Sequence, residues 1–394
     1  MRRPGFTGDI WPDETQELLL QATLLPGDPG AAAWAAVRPR MDVDRLPGEL
    51  HRLIPPLAKA LAARGAEDPN LPRLKGVYQF TWYRNQLLLA DAAALLGALG
   101  AAGVATMLLR GAAMVVAYHG DAGIRLMNDL DVLVPPSQLE RGRRIAAAEG
   151  WWPVATAIPL ERREAAATLR NRQGRVVRMH WQPSRNVSLT DEAQEPFWKR
   201  SAEVTVQHIA TRVPGPADHL VQACVDGARA NSGSNLRWIT DVAVLLGADS
   251  GPDWDVVVSE ARRHHVSLLV AEALRYLVEA LHAKVSADVI AALAATPASP
   301  RERLAHRLSL TTIPGVPSAA EVLGRFTRQT ADLPLTRAAV TAPAFLEALL
   351  GVERHRELPA AVARKAVAAL APPTAPPAVP WTDAASREPA RERP

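Results

Sequence analysis

Cysteine is almost missing from this chain: 394 residues contain one, Cys224. A lone thiol excludes an intramolecular disulfide framework and any zinc site built from clustered cysteines. Its apolar helical surroundings place it in a core. Lysine is nearly as scarce, with five residues against forty arginines, while alanine and proline abound. That is the bias a GC-rich genome produces. The net charge is only +4. No block of consecutive basic residues and no basic stripe interleaved with aromatics occurs, so nucleic acid is not an expected partner. Long apolar runs are also lacking. Met1-Arg2-Arg3 is followed by Pro4, Gly5, Gly8, Asp9 and Asp13, where a signal peptide needs an apolar core. Residues 92–109 carry no charge but are dominated by Ala and Gly, and they read as a helix followed by a short strand rather than as a membrane span. A cytoplasmic protein with no membrane partner is expected. Walker A, H-E-x-x-H and G-x-S-x-G motifs are missing, and Gly97, Gly100 and Gly103 precede a strand instead of following one, which excludes a dinucleotide loop.

What is present is 48% hydrophobic residues, enough for ordinary buried cores in two or three domains. The chain divides into a helical N-terminal region (1–100), a mixed core (101–212), a helical C-terminal domain (213–371) and a disordered tail (372–394) with seven prolines. Helices are predicted over 13–24, 46–64 and 79–99, with a break at Pro26-Gly27-Asp28-Pro29-Gly30. Gly103 closes the third, and 104–109 reads as a buried strand. A helix over 112–119, a turn at 120–123 and an acidic strand follow. Ser137 is the expected N-cap of a helix reaching 148 and closed by Gly150. Residues 151–158 and 175–181 read as strands. Further helices are predicted over 219–229, 236–246, 254–263, 267–281, 287–295 and 344–350. No internal repeat occurs.

Chemistry is concentrated in two stretches. Asp129-Leu130-Asp131-Val132-Leu133-Val134 puts two carboxylates on one strand face and the apolar residues on the other. Hard cations such as Mg²⁺ take oxygen ligands together with substrate phosphates, so this pair suggests phosphoryl or nucleotidyl transfer. Two solvated acids at a strand end are the plainer alternative. Upstream, Arg110-Gly111-Ala112 falls where a strand turns into a helix, so that free amides and the positive helix end face an anion. Gly111 permits close approach, and the Arg110 fork can clamp a phosphate. Arg125 can reach a phosphate or pair with Asp121. His180 shares a strand face with Arg178 and is a candidate base or a structural histidine. Asp241, beside Trp238, reads chiefly as packing.

The order of these pieces resembles a bacterial family of uncharacterised nucleotidyltransferases within the DNA polymerase β-like superfamily. The likeness runs from Tyr78 to Leu246. It rests on Tyr83-Arg84-Asn85, Leu108-Leu109-Arg110-Gly111-Ala112-Ala113, Arg125 with Asn128-Asp129-Leu130-Asp131, His180-Trp181, Asp218-His219-Leu220 and Leu236-Arg237-Trp238-Ile239-Thr240-Asp241. The resemblance implies an α+β fold, a small mixed sheet flanked by helices. It implies Asp129 and Asp131 as Mg²⁺ (or Mn²⁺) ligands, His180 as a third catalytic residue, and Arg110, Gly111, Ala112, Arg125 and Asn128 around the nucleotide. The expected donor is an NTP, chiefly ATP, and the acceptor a small molecule or peptide, as in natural-product biosynthesis. Two positions depart from the pattern: Arg110 stands where lysine is usual, and Arg178 where an acid is frequent. With Arg178 there, deprotonation of the acceptor passes to His180 or is lost. A nucleotide-binding scaffold without turnover is therefore the alternative, and an RNA-directed, toxin-type transferase a further one. The residues do not specify oligomeric state.

Overall fold

The computed structural model describes residues 3–310 apart from 7–9, 47, 155–165, 184–190, 228–235 and 249–250, together with scattered residues between 326 and 360. The predicted tail, and all of the predicted 344–350 helix except its first residue, lie outside them.

The N-terminal region is helical. Asp13 caps α1 (Glu14–Leu24) through a reciprocal box with Gln16. The predicted break is instead the start of α2 (Gly27–Val37). Pro29 sits in the first turn, where its missing N–H has no intrahelical partner to lose. The segment predicted as one helix over 46–64 is split into α3 (Gly48–His51) and α4 (Ile54–Ala63), because Pro55 and Pro56 have no N–H to continue the first helix and suit the opening turn of the second. The long α5 (Leu71–Ala101) carries Leu88, Ala92, Leu95, Leu96 and Leu99 buried along one side. It ends at Gly103, whose φ of +71° favours glycine.

From there β1 (Met107–Leu109) runs into a short α6 (Arg110–Ala113). The predicted 112–119 helix continues as a π-helical turn over Met114–His119, closed by Gly120 at φ +59°. β2 (Leu130–Leu133) and α7 (Leu139–Ala148) follow. Ser137 is not the cap of α7. It lies inside a 3₁₀ turn, Pro136–Gln138, set up by Pro136. Next come β3 (Trp152–Pro153), β4 (Ala166–Arg170), β5 (Val176–His180), α8 (Asp191–Lys199), β6 (Ala202–Val206) and β7 (Ile209–Val213). The C-terminal helices are α9 (Pro216–Gly227), α10 (Arg237–Gly247), α11 (Trp254–Arg263), α12 (Ser267–Leu281), α13 (Ala287–Ala294) and α14 (Pro300–Leu310).

The fold is α+β. Seven strands form one mixed sheet in the order β3-β4-β5-β2-β1-β7-β6. β1 is antiparallel to β2 and parallel to β7, and β2 is parallel to β5. Against this sheet α5 packs its apolar side, in a core that includes Val132, Val177 and Met179. A second core joins the N-terminal helices to the helices that follow the sheet: Leu19, Leu20, Ile54 and Leu57 pack with Leu220, Ile239, Leu274 and Leu277. Its aromatic centre is the fully buried Tyr276, stacked on Trp11 at 5.1 Å and met edge-on by Phe6 at 5.2 Å. Among the described residues no helix is long and apolar enough to cross a membrane.

Candidate active site

Strand register brings the chemistry together. Leu109 faces Asp131 across β1 and β2, so Arg110, the next residue, emerges beside Asp131. Across β2 and β5, Asp131 is level with Arg178, and Leu133 with His180. Arg178 and His180 point to the same face of β5 because side chains alternate. The two aspartates meet that face: Asp129, just ahead of β2, forms an ion pair with Arg178, and Asp131 Oδ1 lies 2.6 Å from His180 Nε2.

Asp131 is a hub. Arg110 Nη1 approaches its Oδ1 at 3.2 Å while Arg110 Nε donates to Asp226 at 2.8 Å. Burial works against the Asp131 charge, but Arg110, His180 and Arg178 outweigh it and hold this carboxyl below the usual carboxylate range. Burial likewise opposes the Arg110 charge, and Asp226 and Asp131 more than restore it. Arg110 has φ +50°, a left-handed conformation that costs a non-glycine residue about 1 kcal/mol. Its two carboxylate partners hold it there. His180 is 1% exposed, with Nε2 at 2.6 Å from Asp131 Oδ1 and 3.2 Å from Arg110 Nη1.

The glycine turn is occupied from within. A Cβ on Gly111 would meet Arg125 Nη1, so any larger residue here has to push aside the guanidinium that Asp241 holds. Arg125 does not pair with Asp121, which instead takes Lys59 at 2.6 Å and the Tyr78 hydroxyl at 2.9 Å. Its partner is Asp241, bound through Nε at 2.8 Å and Nη2 at 2.7 Å. Asp241 therefore anchors an arginine rather than filling space. Ala112 is buried behind the turn, and Asn128 is exposed at a separate cavity beside Arg84 and Arg175.

The loop into Asp129 is fastened by Asn85, the last residue of Tyr83-Arg84-Asn85. Fully buried on α5, its Nδ2 donates to the carbonyls of Ala122 and Arg125 at 2.6 and 2.7 Å, and its Oδ1 accepts from the Met127 amide at 3.1 Å. Asn85→Ala leaves these backbone groups unpaired. A loss of about 2 kcal/mol is expected in denaturant unfolding, and an unchanged midpoint would remove Asn85 from this role.

Asp218 and His219 lie behind the site. Asp218 is clasped by Arg200 through two bonds of 2.7 and 2.8 Å. Burial, aided by Arg125 and opposed by Asp241, pushes His219 down to about 4, and burial does the same to His119. Both are neutral in the fold, while the unfolded chain protonates near 6.5. The unfolded state then binds more protons between about pH 4 and 6.5, so stability is full above that window and falls as pH drops through it. Thermal midpoints measured across this range should decline, and less steeply in His219→Gln; a slope identical to wild type refutes the assignment.

Sequence reasoning missed Asp226, near the end of α9, and Arg52, which carries no local signal. Among the described residues, no three His, Cys, Asp or Glu side chains cluster as a metal cage would. Two carboxylates on one face still match the small protein share of a Mg²⁺ site completed by substrate phosphates. Asp129 can join such a set by exchanging Arg178, whose side chain is 38% exposed.

The family model for "Uncharacterised nucleotidyltransferase" matches residues 48–282. The chain belongs to that nucleotidyltransferase family. The matched span of this nucleotidyltransferase covers the whole sheet and every residue placed above, from Arg52 to Asp241. The crystal structure of an antigenic nucleotidyltransferase-like protein from Paracoccidioides brasiliensis is similar over 52% of this chain and 95% of its own, at 16% identity and a TM-score of 0.34. No curated protein matches the chain.

Proposed function

We propose that this nucleotidyltransferase moves a nucleoside monophosphate from an NTP, ATP being the expected donor, to a small-molecule or peptide acceptor, and that it belongs with the DNA polymerase β-like enzymes. The observation that carries the reading is the convergence of Asp129 and Asp131 on one face of β5, bordered by arginines. The acceptor oxygen bonds to the α-phosphorus as the bond from that phosphorus to the β-phosphate oxygen breaks; pyrophosphate leaves, and the proton of a hydroxyl acceptor passes to solvent. Asp129 and Asp131 would hold Mg²⁺ (or Mn²⁺), which would supply positive charge to offset the negative charge that develops on the phosphates. His180 and Arg110 fix the Asp131 carboxylate, and Arg178, once exchanged from Asp129, is free to meet a phosphate.

The test is a thermal-shift titration with each of the four NTPs, with and without Mg²⁺. A Mg²⁺-dependent stabilisation by one NTP is expected, about 2.7 kcal/mol at a hundredfold excess over Kd, and it should vanish in Asp129→Asn. No shift with any NTP defeats the reading. The Arg178–Asp129 ion pair favours a second one: a protein that binds nucleotide without transferring it. That reading expects stabilisation by NTP, no pyrophosphate with any acceptor, and a gain of turnover in Arg178→Glu.

A further inference from the structure

Beside the aspartate pair lies a cavity of about 250 Å³ between α4, α10 and the loop that carries Arg125. Four of its lining side chains are cationic, Arg52, Lys59, Arg125 and Arg237, and none of the described residues lining it is acidic. Such a concentration of one charge is costly in an unliganded fold. Lys59 and Arg125 are offset by Asp121 and Asp241 at the edge. Arg52 has Asp129 only as a longer-range counter-charge, and among the described residues its Nη1 is buried without a hydrogen-bond partner. Buried donors are almost always satisfied, and one that is not calls for a ligand or other explanation. Burial and the charge of Arg125 push Arg52 below its ordinary value; burial, Arg125 and Arg52 push Arg237 down to about 9. The cations repel one another across the space.

Size narrows the occupant. Pockets for whole drug-sized ligands run to roughly 300–1,000 Å³, so this one admits a compact anionic part of a larger molecule. Thr240 also lines the wall, its hydroxyl donating to the Arg237 carbonyl at 2.8 Å. Arg125 borders both this cavity and Gly111, so an anion here adjoins the glycine turn.

We propose that this cavity is a phosphate subsite in which Arg52 and Arg237, flanked by Arg125 and Lys59, take the phosphate chain of a nucleotide or the phosphate of a phosphorylated acceptor. The inference rests on the transfer reaction proposed above and extends it to residues outside the aspartate face. Guanidinium forks suit phosphate oxygens through paired hydrogen bonds, and here they are gathered before any ligand arrives.

Titration calorimetry with tripolyphosphate, in the presence of EDTA, tests the subsite apart from any metal. Wild type should bind it with no metal present, and Arg52→Gln and Arg237→Gln should each bind about tenfold more weakly. Without ligand, the Arg52→Gln thermal midpoint should equal or exceed that of wild type, since an unpaired buried donor is removed; an arginine kept for structure would lower it. No binding to wild type, or equal affinity in wild type and both arginine variants, overturns the subsite. Should Arg52→Gln fail to fold, Thr240→Asp places a carboxylate among the cations and should abolish binding; intact binding there also overturns it. Competition identifies the source: displacement by ATP assigns the cavity to the donor, and displacement by ribose 5-phosphate alone assigns it to the acceptor. Tripolyphosphate binding with no Mg²⁺-dependent NTP shift leaves the subsite standing while the proposed transfer falls.

Discussion

Asp131→Asn should reduce nucleotidyl transfer about a thousandfold, corresponding to roughly 4 kcal/mol of lost transition-state stabilisation, and should also weaken the fold. Asp129→Asn should match the first effect and not the second. Asp131 is 6% exposed and serves Arg110 and His180 at once, so its loss leaves a largely enclosed arginine with Asp226 alone. Removing one partner of a buried ion pair costs about 3–5 kcal/mol, and the remaining carboxylate keeps the cost near the lower end. Asp129 is paired with an arginine that solvent reaches, and exposed pairs contribute under about 1 kcal/mol. Pyrophosphate release and urea unfolding on the two variants separate the effects. More than a tenth of wild-type activity in either would remove that aspartate from the chemistry.

Asp241→Leu should be the most destabilising single change, at about 3–5 kcal/mol. It strips both hydrogen bonds from Arg125, whose side chain is 12% exposed. That leaves a positive charge enclosed among Arg52 and Arg237. The double variant Arg125→Met/Asp241→Leu should recover most of the loss, since no uncompensated charge remains, and a double-mutant cycle in urea reads the coupling. A double variant no more stable than Asp241→Leu would show that the pair is not the reason for the cost. Because Arg125 fills the space over Gly111, Gly111→Ala tests the same contact from the other side.

Signals confined to a few residues were legible in the sequence. The helix expected over 13–24, the alternation of Val177 and Met179 against Arg178 and His180, and the run over Ser267–Leu281 mark elements that form where expected. The aspartate pair and the glycine turn are readable for the same reason, as each is a short pattern on one strand or turn. What the sequence hides is pairing at a distance. Arg110 meets Asp226 and Arg125 meets Asp241, each across a separation of 116 residues. Nothing near Arg125 distinguishes Asp121 from Asp241 as its partner. Short strands such as Ile209–Val213 give too few alternations to stand out, and their place in the sheet is set by neighbours far along the chain. The helix at Gly27–Val37 was obscured by Gly and Pro that its first turn accommodates.

The core shared by the N-terminal helices and the helices after the sheet has a consequence during synthesis. Leu19, Leu20, Ile54 and Leu57 leave the ribosome long before Leu220, Ile239, Leu274 and Leu277 exist to cover them. Roughly 140 residues, including every strand of the sheet, separate Leu74 from Ala217. At translation rates of about 5–20 residues per second the early helices wait about 7–30 s for their partners. Throughout that interval the nascent chain presents an apolar face with no native cover, the kind of surface that chaperones hold and that ribosome crowding turns into aggregates.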